Sequence, residues 1–258
     1  MERMELLDEL RRSFVLITLT HRDTNRLKCE GLSKEQKKSL VNLHGEIVGA
    51  FHDNSIAFGK RRAVPMFMVP DLVETAGKGL AGLKQQLNGV TPDAASEFAI
   101  GIRYEPVPAA EPFEVLPDRF RHGFTRLLVD GAVRDYEHGM EEQLLFLHSA
   151  AVRSVDRWAA YHEYIANPLK GERMLVRESV NQSVAHKARV LRAANVQADR
   201  NIERFCAMAE YALTDTKVLR QEAAVRLEML ERARALVEAL RGYLGIGTGG
   251  DDTEGDDE

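Results

Sequence analysis

The chain has 258 residues, 44% hydrophobic and 29% charged, enough to bury a full-sized core without disulfide or metal staples. Its formal charge is −5, but Asp251, Asp252, Glu254, Asp256, Asp257 and Glu258 all lie at the carboxyl end, so the body is nearly neutral. It lacks the general basic excess that nucleic-acid recognition usually brings. No window reaches the run of about 18 apolar residues a membrane span needs, and the mixed-charge amino terminus has no apolar centre of export-signal type. Cys29 and Cys206 are the only cysteines and form no Cys-x-x-Cys. These features predict a soluble, cytoplasmic protein with no membrane partner.

Residues 2–12 predict a short helix with Leu6, Leu7 and Leu10 on one side. Phe14–Thr20 is the strongest strand in the sequence, apolar and β-branched, bounded by His21-Arg22-Asp23. Ser33-Lys-Glu-Gln36 is a capping box, opening a helix that carries Leu40, Leu43, Ile47 and Phe51 and should stop near Asn54. The basic segment Gly59-Lys60-Arg61-Arg62 leads into a short apolar run, 63–69. Asp71-Leu-Val-Glu74 is a second capping box, before a helix face of Leu72, Ala76, Leu80, Leu83 and Leu87. Glycines 77, 79 and 82 in that helix either permit close packing or weaken it. Thr91-Pro92 fits an N-cap followed by proline at the first helical position.

Pro106, Pro108, Pro112 and Pro117 mark a connector. Beyond it, residues 120–129 predict a second strand, ended by Asp130-Gly131 and paired with Phe14–Thr20 in a small antiparallel ribbon lying on helices. From Asp135 the pattern is helical. One helix runs to about Ile165 with Met140, Leu144, Leu147, Ala151, Val155, Trp158 and Ile165 inward. A second starts near Arg173 and carries Val176, Val180, Val184, Ala188 and Leu191, until 195–198 interrupts it. Asp199 can cap a short helix that buries Ile202, Phe205, Cys206 and Ala209. The last helix is capped by Thr214 or Asp215 and stopped by Gly245. Residues 247–258 contain no apolar side chain and predict a disordered acidic tail.

The last helix carries a heptad seam of Leu219, Ala223, Leu230, Ala233, Val237, Leu240 and Leu244, with Arg226 its one polar interruption. A seam of this kind needs a partner helix, supplied by the chain's own bundle or by another protein. Leu219, Leu230, Val237, Leu240 and Leu244 are therefore the candidate partner-binding residues. The fold class expected is mainly α, a long-helix bundle with a small antiparallel β-ribbon. Its expected regions are a mixed α/β segment (1–130), a helical bundle (131–246) and the acidic tail (247–258).

No segment carries a motif for catalysis, a metal or a cofactor. Ser154, Ser179 and Ser183 lack a Gly-x-Ser-x-Gly context. His44 and His52 share one helix, without His-Glu-x-x-His or paired Glu-x-x-His. Gly59-Lys60 lacks the remainder of a phosphate loop. Trp158 reads as core, and the Asn181-Gln-Ser183 sequon has no export signal to go with it. Arg119, Arg121 and Arg126 interleave with Phe120 and Phe124, a pattern used by single-strand binding faces but explained more simply by a half-buried strand with Phe in and Arg out, which requires no ligand. With Lys60, Arg61 and Arg62 they form the alternative, nucleic-acid-binding reading.

The order of the N-terminal strand, Leu116-Pro-Asp-Arg119-Phe-Arg-His-Gly-Phe124, Arg177-Glu-Ser-Val-Asn181, Leu191, Asn195-Val196 and Asp199 resembles an uncharacterised family of phage and bacterial helical proteins. That family is a domain of unknown function often encoded near MoxR-like AAA+ ATPases, and the resemblance spans most of residues 13–240. It implies a phage or prophage origin, a bacterial host cell and an ATPase-linked adaptor role, and it brings no catalytic residues. The function expected is a non-enzymatic scaffold or adaptor that self-associates or docks a protein partner through its helices.

Overall fold

A computed structural model describes residues 2–22, 31–108, 118–167 and 174–246; the side chains at 118, 119 and 121 lie outside this description. The expected acidic tail, Cys29 and most of the proline-rich connector also lie outside the described residues. The described chain is mainly α-helical with one small antiparallel sheet, and it divides into two compact units. One is Met1–Gln143 with Val190–Asp199, and the other is Leu144–Arg189 with Arg200–Glu258.

In the first unit, α1 (Arg3–Ser13) runs directly into β1 (Phe14–Thr20). The sheet has the order β2-β3-β1-β4, with β2 at Ile56–Phe58, β3 at Arg61–Pro65 and β4 at Gly101–Pro106. Phe14 pairs with Pro65 on one side of β1, and Val15 pairs with Pro106 on the other. The pairing partner expected for β1, residues 120–129, is instead the start of α5 (Asp118–Ala166). Phe120, Phe124 and Leu127 recur at four and three residues, which satisfies a helix as well as a strand, and a 49-residue helix propagates through the segment. The partners that β1 uses are short, and proline closes β3 and β4 where a ladder can end.

The basic Gly59-Lys60 step is a two-residue hairpin turn, because Phe58 pairs with Arg61. Gly59 has φ +57 and stands at the first turn position, where this class of hairpin favours glycine. Ser33 caps α2 (Lys34–Asp53) through the expected box, its hydroxyl accepting from Gln36 N at 3.2 Å. The second box is not used. α3 (Val69–Leu87) starts earlier, with Pro70 in its first turn, so Asp71 already lies inside it. A side chain at Gly79 or Gly82 would meet Ile47 or Leu43 of α2, so these two glycines serve close packing; Gly77 faces open space. α4 (Pro92–Glu97) follows Thr91 as expected, although the threonine side chain makes no capping bond.

In the second unit, the last helical stretch is divided. Asp215 caps α8 (Thr216–Gln221) by accepting from Lys217 N at 2.7 Å, and the chain breaks at Glu222 before α9 (Ala223–Leu244). Gly245 ends α9 in the left-handed region, φ +66. The heptad is therefore carried by two helices. Leu219, Leu230, Ala233, Val237 and Leu240 are buried, and Leu244 is half-buried. α9 packs on α7 (Arg200–Met208), on the 3-10 turn Ala209–Leu213 and on α8. Ala223, expected on the seam, is exposed because it opens the new helix.

Candidate functional site

The polar interior of the second unit converges on Asn181, in the first turn of α6 (Ser179–Ala194). Asn181 is 2% exposed. Its Oδ1 accepts from the Trp158 indole Nε1 at 2.9 Å and from Ser154 Oγ at 3.2 Å; both residues are buried one turn apart on α5. An indole N–H only donates, so it fixes which end of the amide faces α5. Nδ2 is left as two buried donors with no hydrogen-bond partner among the described residues. Arg220 Nε shares that condition, whereas the Tyr211 hydroxyl has the Ser154 hydroxyl beside it. Burial pushes the Tyr211 phenol up to about 12, partly offset by the neighbouring Ser154 hydroxyl. Each buried polar group left without a partner costs about 1–3 kcal/mol, so the Asn181 amide and Arg220 Nε are held in this interior at a cost to the fold.

Asn181 and Arg220 both line a cleft of about 500 Å³, with Gln182, Ala185, Leu213, Thr216 and Lys217 among its walls. Arg220 is anchored by a hydrogen bond from Nη2 to the Val176 carbonyl. Thr216 is buried, and Leu213, at the rim, is 72% exposed. Glu178 and Asp215 also line the cleft, but both are exposed and both already accept, from Gln182 Nε2 at 3.0 Å and from Lys217 N. The buried end of the cleft is thus rich in donors, while its rim carries both charge signs.

Beside this region, Arg226 is 2% exposed. Its Nη1 donates to the carbonyls of Leu219 at 2.7 Å and Arg220 at 3.3 Å, its Nε lies 3.3 Å from His162 Nδ1, and its guanidinium stands 5.5 Å from the Tyr161 ring centroid. The seam's polar interruption is a cap: it closes carbonyls at the carboxyl end of α8, where the helix dipole favours a cation.

The residues singled out from sequence are placed differently. Leu219, Leu230, Val237 and Leu240 are covered by their own chain, so they present little surface to a partner. Lys60 is exposed in the hairpin turn. Arg61 pairs with Glu105 at 2.7 Å. Arg62 donates from Nε to Ser55 Oγ at 2.6 Å and from Nη2 to the Ser55 carbonyl at 3.0 Å, bracing the end of α2 against β3. Arg126 reaches Asp130 at 3.7 Å, one turn along α5. The side chains of Arg119 and Arg121 lie outside the described residues. His44 is fully buried, 5.4 Å from the His21 ring and 6.4 Å from Phe98, whereas His52 is exposed. Among the described residues no group of three or more His, Cys, Asp or Glu has metal-binding geometry.

Another surface is defined by α5. Its buried face in the first unit is Val129, Ala132, Val133, Tyr136, Met140 and Gln143. At about 100° per residue, Phe120, Phe124 and Leu127 fall on the opposite side, and they are 47%, 47% and 70% exposed. The strand expected from sequence turns both phenylalanines inward, whereas the helix that forms leaves them exposed. Reading the segment at helical period would have put all three on one outward stripe.

No family model, no curated protein and no solved structure matches the chain. No described helix is long and apolar enough to cross a membrane.

Proposed function

We propose that the protein is a non-enzymatic adaptor acting through helix-mediated contact with another protein. The observation that carries this reading is the stripe of Phe120, Phe124 and Leu127 on the side of α5 away from its core. Large apolar side chains at i, i+4 and i+7 are the anchors an amphipathic helix uses in a partner's groove. This surface replaces the α9 seam as the docking element, because the chain's own helices already cover that seam. The partner suggested by the resemblance is an AAA+ ATPase of a phage-bearing bacterial host, met in the cytoplasm.

The test compares the full chain with its Phe124→Glu and Leu127→Glu variants as baits in host extract, with captured proteins identified by mass spectrometry. An AAA+ ATPase enriched by the wild type and lost from both variants supports the reading. Equal capture by all three baits, or capture of no ATPase, ends it.

A further inference from the structure

We infer that the cleft between α6 and α8 is a binding site for a small amphipathic molecule that presents an oxyanion, carboxylate or phosphate, to Asn181, Lys217 and Arg220. This goes beyond the adaptor reading and rests on different residues, all within the second unit.

Asn181 Nδ2 and Arg220 Nε are donors without a partner among the described residues. Trp158 and Ser154 occupy Asn181 Oδ1, so the amide cannot turn to hide Nδ2 without setting an N–H against the indole N–H. Asn181 is 2% exposed and lines the cleft, so its free donors are desolvated yet next to an opening of about 500 Å³. Arg220 lines the same cleft with Nε buried and unpartnered, while its hydrogen bond to the Val176 carbonyl holds the guanidinium in place. Lys217 adds an exposed ammonium on the same wall. Two cations and a neutral amide among the residues lining one space call for an acceptor of negative charge, and charge-assisted hydrogen bonds are the stronger kind. Ala185, Ala212 and Leu213 supply the apolar wall for the rest of the molecule, and the volume lies in the range of small-ligand sites. Glu178 and Asp215 are exposed and engaged within the chain, so the oxyanion belongs at the buried end, away from them.

The test follows the Asn181 side-chain NH2 and Arg220 Nε–H signals of the full-length protein by proton–nitrogen NMR. Hexanoate, phenyl phosphate and the uncharged 1-hexanol are titrated in turn at matched ionic strength. Saturable shifts of both signals with hexanoate or phenyl phosphate are expected, with Kd below about 10 mM, and the arm that saturates names the oxyanion. Lys217→Gln, at an exposed position, and Arg220→Lys, which keeps the charge but removes Nε, should each weaken binding about tenfold or more. Absence of saturation with both anions, equal response to 1-hexanol, or unchanged affinity in both variants overturns the inference.

Discussion

The Trp158 indole donates to Asn181 Oδ1 across 2.9 Å inside the second unit, and Ser154 donates to the same oxygen. One acceptor thus ties α6 to two turns of α5. Asn181→Ala strands a buried indole N–H and a buried hydroxyl, and should cost about 2–4 kcal/mol on urea denaturation, since each unsatisfied group costs about 1–3. Trp158→Phe removes the donor from the other side. In a double-mutant cycle the two substitutions should couple by about 0.5–3 kcal/mol; strict additivity would show that the bond contributes nothing beyond packing.

Arg226 leads to an outcome opposite to the one a heptad alone would give. Completing the apolar seam with Arg226→Leu should help a coiled coil. Here it uncovers the carbonyls of Leu219 and Arg220 in the interior, and a loss of about 1–3 kcal/mol is expected. Arg226→Lys keeps the charge but not the planar fork that reaches both carbonyls and His162, so it should fall between wild type and leucine. Thermal unfolding of the three proteins ranks them; a leucine variant more stable than wild type would show that the cap is dispensable.

What was legible in the sequence was what local chemistry decides. The β-branched run Phe14–Thr20, the Ser33 box and the Gly245 stop each depend on a few neighbouring residues, and each stands in the structure as read; of the two caps expected for the last helix, Thr214 or Asp215, Asp215 does cap a helix, but it is the short α8. The 120–129 segment was misread because Arg and Phe alternating over a few positions fit period two, while helix propagation from the long apolar pattern beyond Asp135 decides the outcome. The break at Glu222 was missed because a heptad runs through it without change of register. Ser154, Trp158, Asn181 and Arg226 each stand out singly in the sequence. Their convergence was not readable, because residues tens of positions apart meet only when α5, α6, α8 and α9 pack.

Stability should fall as pH drops below neutrality, and His44 is a principal cause. Burial, and secondly the neighbouring His21, holds its pKa below the ordinary histidine value. Burial also lowers His148, with Arg241 adding to the effect and Glu238 opposing it. A lowered folded pKa means that the unfolded chain takes up the proton first. The stability these groups contribute is fully present above the unfolded value of about 6.5 and is lost as pH falls through the folded pKa values. Urea midpoints measured across this range should decline. His44→Phe, which keeps a ring against Phe98 and cannot ionise, should flatten part of the decline. An unchanged slope in that variant would assign the effect to other groups.

Gly139 offers the sharpest contrast between local propensity and packing. Within a helix, Gly→Ala ordinarily gains about 0.5–1 kcal/mol. Gly131 and Gly139 both lie in α5, yet a Cβ at Gly131 meets nothing within 4 Å, whereas one at Gly139 runs into the carbonyl oxygen of Ala57 in β2. That neighbour is backbone in a short paired strand and cannot swing aside as a side chain would. Gly131→Ala should therefore raise the melting temperature by a few degrees, since about 1 kcal/mol corresponds to about 2–4 °C in a chain of this size. Gly139→Ala should lower it, because forcing an extra methyl into a packed contact costs about 1–3 kcal/mol and exceeds the helix gain. Equal stabilisation by both substitutions would mean that α5 does not approach β2 as closely as Gly139 allows.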